Sequence, residues 1–329
     1  MNKRRILVSA CLAATLPLVA SAQDKVRLAG NFETAHSSSI AMESVFKPEL
    51  AKRSNNQLQV DIFPAMQLGG AKENVDAVRS GALLMTWVGA AYMSRIIPEL
   101  EAVSLPFLFP NRETAFRVMD GNAGKLIDQK MIDKNFTVLG WMELGSRNIT
   151  NNKKPIRTLD DLKGMKIRLQ PNETHLATFR AMGANAVAMD AKELYSALEQ
   201  KVIDGQENPF PIIRAARYME VQKFLSNSGH FFDFIVIVAN KKSFDALKPD
   251  YQKAIREAMT ATVAAQRAGA AKSDAEALEE LKKRMEYTEV TPQFREAMRK
   301  ATAGVIDDVK KRAGAALVDG ILAEVAKAR

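Results

Sequence analysis

The segment Met165-Lys166-Ile167-Arg168-Leu169-Gln170-Pro171-Asn172 has the pattern of a short strand running into a turn. Met165, Ile167 and Leu169 alternate with charged residues, the two-residue period of a strand with one buried face. Gln170-Pro171-Asn172 ends it, because proline has no amide to give to a sheet ladder. Just upstream, Asp160-Asp161-Leu162-Lys163-Gly164 reads as a short helix stopped by glycine. Arg168 is a cation near the carboxyl end of the strand. It is either a surface charge or a guanidinium aimed into a cleft. Ligands of open α/β sheets sit beyond the carboxyl ends of strands, and a planar guanidinium matches a carboxylate through two parallel hydrogen bonds. Arg147, in Gly145-Ser146-Arg147-Asn148, follows another strand candidate, Phe136 to Trp141, in the same way.

Outward from this segment, strand-like and helix-like stretches alternate, which predicts an α/β fold. Val26 to Ala29, Leu58 to Phe63, Leu83 to Val88 and Phe234 to Ala239 are further strand candidates. Helices are expected from Ser37 to Lys52, and from Ala71 to Ser80 between Gly69-Gly70 and Gly81. From Pro249 to Met285 alanine, glutamate and lysine dominate, with one glycine, Gly269, and no further proline. This favours a single helix long enough to run along two domains. A last helix follows Pro292. No internal repeat or low-complexity linker marks a boundary, as expected of a chain that crosses between two lobes several times.

Val202-Ile203-Asp204-Gly205-Gln206-Glu207-Asn208-Pro209 reads as a strand-like pair, a tight turn and four polar residues before a helix opened by Pro209. A plain turn capped by Asn208 accounts for Gly205 and Asn208. It does not account for the rest of the string.

Composition narrows the chemistry. Cys11 is the only cysteine. A chain processed beyond it has no disulfide, cysteine nucleophile or thiolate metal site. His36, His175 and His230 are scattered singly, without a second ligand at metal-binding spacing. No nucleophile elbow, paired-histidine zinc helix or phosphate loop occurs. The expectation is no catalytic residue, no metal and no cofactor. The chain carries 47 basic and 38 acidic residues. Setting aside Lys3, Arg4 and Arg5 leaves 44 against 38, a net of +6. The charges are interspersed, which speaks for a solvated surface and against nucleic acid. The net positive field favours encounter with anions.

Lys3, Arg4 and Arg5 precede an apolar run from Ile6 to Ala20, and Ala20-Ser21-Ala22 follows. This is the pattern of a signal peptide over residues 1–22, with Gln23 as the mature start and the periplasm as destination. The run is too short for a stable membrane span. Val8-Ser9-Ala10-Cys11 resembles a lipoprotein box, but the apolar stretch continues past the cysteine, so ordinary secretion is preferred.

Three segments taken together carry a family resemblance. They are Asp160 to Arg168, then Glu193-Leu194-Tyr195-Ser196-Ala197-Leu198-Glu199-Gln200, then Val202 to Pro209. In this order they resemble the solute-binding proteins of TRAP (tripartite ATP-independent periplasmic) transporters. Pro64 to Gly70, Leu105-Pro106-Phe107 and Glu220-Val221-Gln222-Lys223 are further landmarks. The resemblance implies a two-lobed periplasmic binding protein fold, α/β and class II-like, with interleaved lobes, a ligand cleft and a long helix spanning both. It places 24–145 plus 234–273 in one lobe and 146–233 plus 274–329 in the other. It implies a small organic acid ligand, no enzymatic activity, and the small and large membrane-embedded permease subunits as partners. Arg168 matches the family's carboxylate-binding arginine, Arg147 a second cleft arginine and Asn208 a ligand-facing asparagine. Trp87, Glu143, Gln170, His175, His36 and Asp233 fall near cleft positions. Carboxylates and amides beside the arginines favour a sugar acid or other hydroxy acid, since an apolar acid would leave them unpaired. A C4-dicarboxylate, with Arg147 taking the second carboxylate, and a binding protein that feeds a membrane receptor are the alternatives.

Overall fold

In the computed structural model, which describes residues 23–327, one mixed sheet joins all the strands. They are β1 (Asp24–Gly30), β2 (Leu58–Phe63), β3 (Met85–Gly89), β4 (Phe136–Asn151), β5 (Lys166–Leu169), β6 (Asn185–Ala188), β7 (Gly205–Asn208), β8 (Phe224–Asn240) and β9 (Glu286–Glu289). Their order is β2-β1-β3-β8-β4-β7-β5-β6, with β9 also on β8. β1 runs parallel to β2 and β3 at one end, and β5 parallel to β6 and β7 at the other. β4 and β8 pair antiparallel through the whole molecule. The second half of β8 carries β3, its first half carries β9, and the last residues of β4 carry β7. Two small α/β sheets are thus strung on one pair of long strands, and the fold is two-lobed. The expected signal peptide, 1–22, lies outside the described residues.

The two long strands extend well beyond Phe136–Trp141 and Phe234–Ala239. Past those apolar cores the pattern fills with Glu143, Arg147, Asn148, Asn227 and Asp233, which a period of hydrophobicity does not register as strand. Register shifts at Val138/Gly140, Glu143/Gly145 and Arg147/Ile149 bend β4 between the lobes. At the middle one Gln266 acts as a brace. Its Oε1 accepts from the Glu143 amide at 3.0 Å and its Nε2 donates to the Glu143 carbonyl at 2.9 Å.

Each sheet is covered on both faces. Along β8, Phe234, Val236 and Val238 join a cluster with Leu100, Val118 and Ile127, whereas Ile235, Ile237 and Ala239 join Leu28, Phe46 and Ile255 on the opposite face. This is the strand alternation made physical. In the second lobe Ile167, Leu169, Phe179 and Phe231 form one cluster, and Leu194, Leu198, Ile213 and Leu225 another. The long helix is Pro249–Lys282. Its Ile255 and Met259 pack in the first lobe and its Ala277 and Leu281 in the second. The C-terminal segment divides as well. Phe294 and Met298 pack with Ile167, but Val318, Ile321 and Val325 pack with Leu100 and Val118. Expecting all of 274–329 on the second lobe overlooks the apolar faces of these last helices, which cover the first lobe.

The helix expected from Ser37 to Lys52 runs to Arg53 but contains a π turn, Met42–Phe46. Pro48 lacks an amide, and in an α-helix its ring would meet the carbonyl four residues back. The ladder loosens just ahead of it, with the Lys47 amide reaching Met42.

Candidate ligand-binding site

The carboxyl ends of β1, β5 and β7 meet between the lobes around a small cavity, about 40 Å³. Asn31, Glu33 and Tyr92 line it from one side, and Arg168, Gln170, Asn208 and Tyr218 from the other. Arg168 is buried, and its fork is partly spent on backbone. Nε and Nη2 donate to the Met189 carbonyl at 2.8 and 2.6 Å, and Nη2 also donates to the Tyr92 hydroxyl at 2.8 Å. Nη1 makes no hydrogen bond among the described residues. These contacts fix the plane of the guanidinium. Burial raises the pKa of Tyr92, which keeps its phenol neutral beside the arginine.

Arg147 has a different role. It is fully buried and does not line the cavity. Nε bonds Glu207 Oε2, while Nη2 donates to Glu207 Oε1 at 2.7 Å, the Glu207 carbonyl at 2.6 Å and Asn208 Oδ1 at 3.1 Å. Nη1 donates to Asp233 Oδ2 at 3.1 Å. Two carboxylates thus neutralise one guanidinium. Burial alone would raise the pKa of Glu207, but Arg147 and His230 overcome it and hold the carboxyl down to about 2. Burial also opposes ionisation of Asp233, and the His175 ring and Arg147 outweigh it. His230 Nε2 lies 3.0 Å from Glu207 Oε2, and its Nδ1 pairs with Ser228 Oγ at 2.7 Å.

The polar string before Pro209 is itself a strand. β7 is buried along its whole length, in place of the turn expected there. Gly205 is required because a Cβ there would lie 2.2 Å from the Thr150 carbonyl oxygen. The polar side chains are tolerated because each finds a partner. Asn208 Nδ2 donates to Gln206 Oε1 at 2.5 Å, Gln206 Nε2 to Thr150 Oγ1 at 2.9 Å, and Thr150 Oγ1 to Gln222 Oε1 at 2.9 Å. Asn208 sits where this network reaches the cavity.

The other sequence-derived candidates divide. Gln170 lines the cavity and donates to Asp233 Oδ2 at 2.8 Å. His175 lies behind it, stacked on Phe231 with ring centroids 4.1 Å apart and Nε2 3.6 Å from Asp233 Oδ1. Trp87, Glu143 and His36 do not line the cavity. Trp87 packs over Gly30 in the first lobe's core, where an added Cβ on that glycine would come within 2.2 Å of the indole. Glu143 is held by Arg112 through two contacts of 3.2 Å. His36 caps a helix, its Nδ1 accepting from the Ser38 amide at 3.2 Å. Sequence reasoning passed over Asn31, Glu33, Tyr92 and Tyr218. Asn31 and Glu33 directly follow β1, so the strand-end rule that singled out Arg168 reaches them too. Nothing local separates the two tyrosines from core aromatics.

Residues 29–312 match the family model of bacterial extracellular solute-binding proteins, family 7. The 2,3-diketo-L-gulonate-binding periplasmic protein of Escherichia coli is 35% identical over 210 residues, 64% of each chain. A sugar acid binding protein from Advenella mimigardefordensis, solved with galactonate, superposes with a TM-score of 0.91 at 33% identity, over 93% of this chain and 99% of that one. A TRAP periplasmic solute-binding protein from Sulfurospirillum deleyianum, solved with succinate, gives 0.88 at 25% identity, over 91% and 98%. The chain belongs to the bacterial extracellular solute-binding proteins of family 7, the solute-binding proteins of TRAP transporters.

Proposed function

We propose that this protein captures a hydroxylated organic acid monoanion, a sugar acid, and hands it to the small and large permease subunits in the membrane. The observation that carries this reading is the unequal state of the two arginines. Arg168 lines the cavity with Nη1 unspent, and amides and a phenol surround it. Arg147 is already matched by Glu207 and Asp233. A second ligand carboxylate would therefore meet no free cation in the cavity lining, which favours a sugar acid over a C4-dicarboxylate. Asn208, Gln170 and Tyr218 would hydrogen-bond the hydroxyls. Arg147, Asp233 and His175 would hold these contacts from behind.

The protein is exported, with cleavage after Ala22. It acts by binding and not by catalysis: the buried Glu207–His230 pair lies beneath Arg147, away from the cavity lining. One lobe takes 24–145 and 234–273, the other 146–233 and the chain to about the helix Pro292–Ala301. The last two helices return to the first lobe. Ligand favours the closed arrangement because both lobes then touch it. A thermal-shift screen of sugar acids, hydroxy acids and dicarboxylates tests the reading, since a ligand of the native state raises apparent stability. Stabilisation by sugar acids at micromolar concentration is expected. A response to succinate and related diacids alone would replace it with the dicarboxylate assignment.

A further inference from the structure

Among the residues that line the cavity, Glu33 is the only carboxylate and Arg168 the only cation. Glu33 follows β1 and is half-buried. It has no ion pair or side-chain hydrogen bond among the described residues, and burial alone raises its pKa. Two positions earlier, the Asn31 side-chain oxygen is buried without any donor. An acceptor buried in this way costs stability unless something supplies a proton to it. The first-lobe side of the cavity thus carries acceptors in want of donors, and the facing side carries the unspent nitrogen of Arg168.

We infer that Glu33 sets the ligand class: with Asn31 it accepts hydrogen bonds from the hydroxyls of an acid held at Arg168, and it repels any second carboxylate. The inference rests on the proposal that an organic acid binds at Arg168. Its physical basis is the difference between two ends of a sugar acid chain. A terminal –CH2OH brings a donor to Glu33. The same chain oxidised to –COO⁻ brings only acceptors and a like charge into a site screened from water, which is costly.

Matched pairs of acids isolate this effect. Galactonate and galactarate, and gluconate and glucarate, differ only at that terminus. By calorimetric titration, the better monoacid should bind roughly 30-fold or more tighter than its diacid. Glu33→Gln should shrink that ratio about tenfold or more, chiefly by admitting the diacid, while Glu33→Asp keeps most of it. An unliganded melting temperature equal to wild type shows that the variants fold. A diacid that binds wild type as well as its monoacid, or a ratio changed less than about threefold in Glu33→Gln, overturns the role of Glu33. Acid binding that Arg168→Ala abolishes would then still stand. If no mono- or dicarboxylate binds at all, the acid site itself is refuted, and the role of Glu33 with it.

Discussion

Asp190 accepts a hydrogen bond at 3.2 Å from the backbone amide of Lys72, 118 positions away and across the cleft. The same carboxylate caps its own helix, Ala191–Glu199, through the Lys192 amide at 3.1 Å. It therefore stands between the amino ends of two helices, one from each side of the cleft, and each end carries a partial positive charge. Gly70 permits the approach, because a Cβ there would come within 2.8 Å of Asp190 Oδ1.

This contact can form only when the lobes are together, so Asp190 should slow ligand release. A charged group at a helix amino end contributes about 0.3–2 kcal/mol. Asp190→Ala should then speed dissociation by up to roughly 30-fold. Asp190→Asn, which keeps a capping oxygen but not the charge, should lie between. Stopped-flow release of a bound acid measures this, and equal rates in wild type and Asp190→Ala would remove the latch.

Arg168→Ala should abolish most of the binding. Truncating one partner of a desolvated, hydrogen-bonded charge pair costs about 2–5 kcal/mol. Affinity should fall roughly 30-fold to several thousand-fold. Arg168→Lys should recover only part, since an ammonium cannot satisfy Met189, Tyr92 and a carboxylate in one plane. Calorimetry on the folded variants decides. A loss of less than about threefold would make Arg168 a structural cation only.

Glu207→Gln should damage the fold more than the binding site. It leaves Arg147 buried with Asp233 as its one remaining carboxylate. Removing one partner of a buried ion pair costs about 3–5 kcal/mol, and the surviving contact should keep the loss near the lower end. Urea denaturation reads this as a lower midpoint at unchanged slope. A midpoint equal to wild type would show that the pair is dispensable.

Acid should destabilise the protein in two windows. Burial, aided by Arg214, lowers His36 from 6.5 to about 3. Between those values the unfolded chain binds a proton that the folded chain refuses, so stability falls as pH drops below 6.5. Glu207 has a depressed folded pKa, about 2 against 4.5, so its contribution is present above 4.5 and is lost as pH falls toward 2. Each proton costs up to about 1.4 kcal/mol per pH unit within its window. His36→Asn keeps a capping oxygen for the Ser38 amide but removes the upper titration. Urea midpoints measured from pH 7 to 4 should flatten in this variant, and an unchanged slope would discharge His36.

Several features could be read locally because local physics decides them. The helix from Pro249 follows from an alanine-, glutamate- and lysine-rich run without a breaker. β2 and β5 follow from alternation, β1 from a short apolar run, and Arg168 from a cation at a strand's carboxyl end. β7 and the inner halves of β4 and β8 were not legible in this way. Burying Gln206, Glu207, Arg147 or Asp233 is prohibitive for each residue alone. It becomes tolerable only when the fold brings partners together from 60 and 86 positions away.

The two arginines show where sequence ends. By residue type and by their place relative to the strand candidates Phe136–Trp141 and Met165–Leu169, Arg147 and Arg168 read as equivalent. The sequence put both after or at the end of a strand candidate; Arg168 does stand near the carboxyl end of β5, but β4 runs on past Arg147 to Asn151. Tertiary structure decided that two carboxylates would neutralise Arg147 while Arg168 kept a free nitrogen on the cavity. Whether a charge is available to a ligand depends on what lies within about 3 Å of it in a desolvated site, and that neighbourhood is assembled by distant parts of the chain.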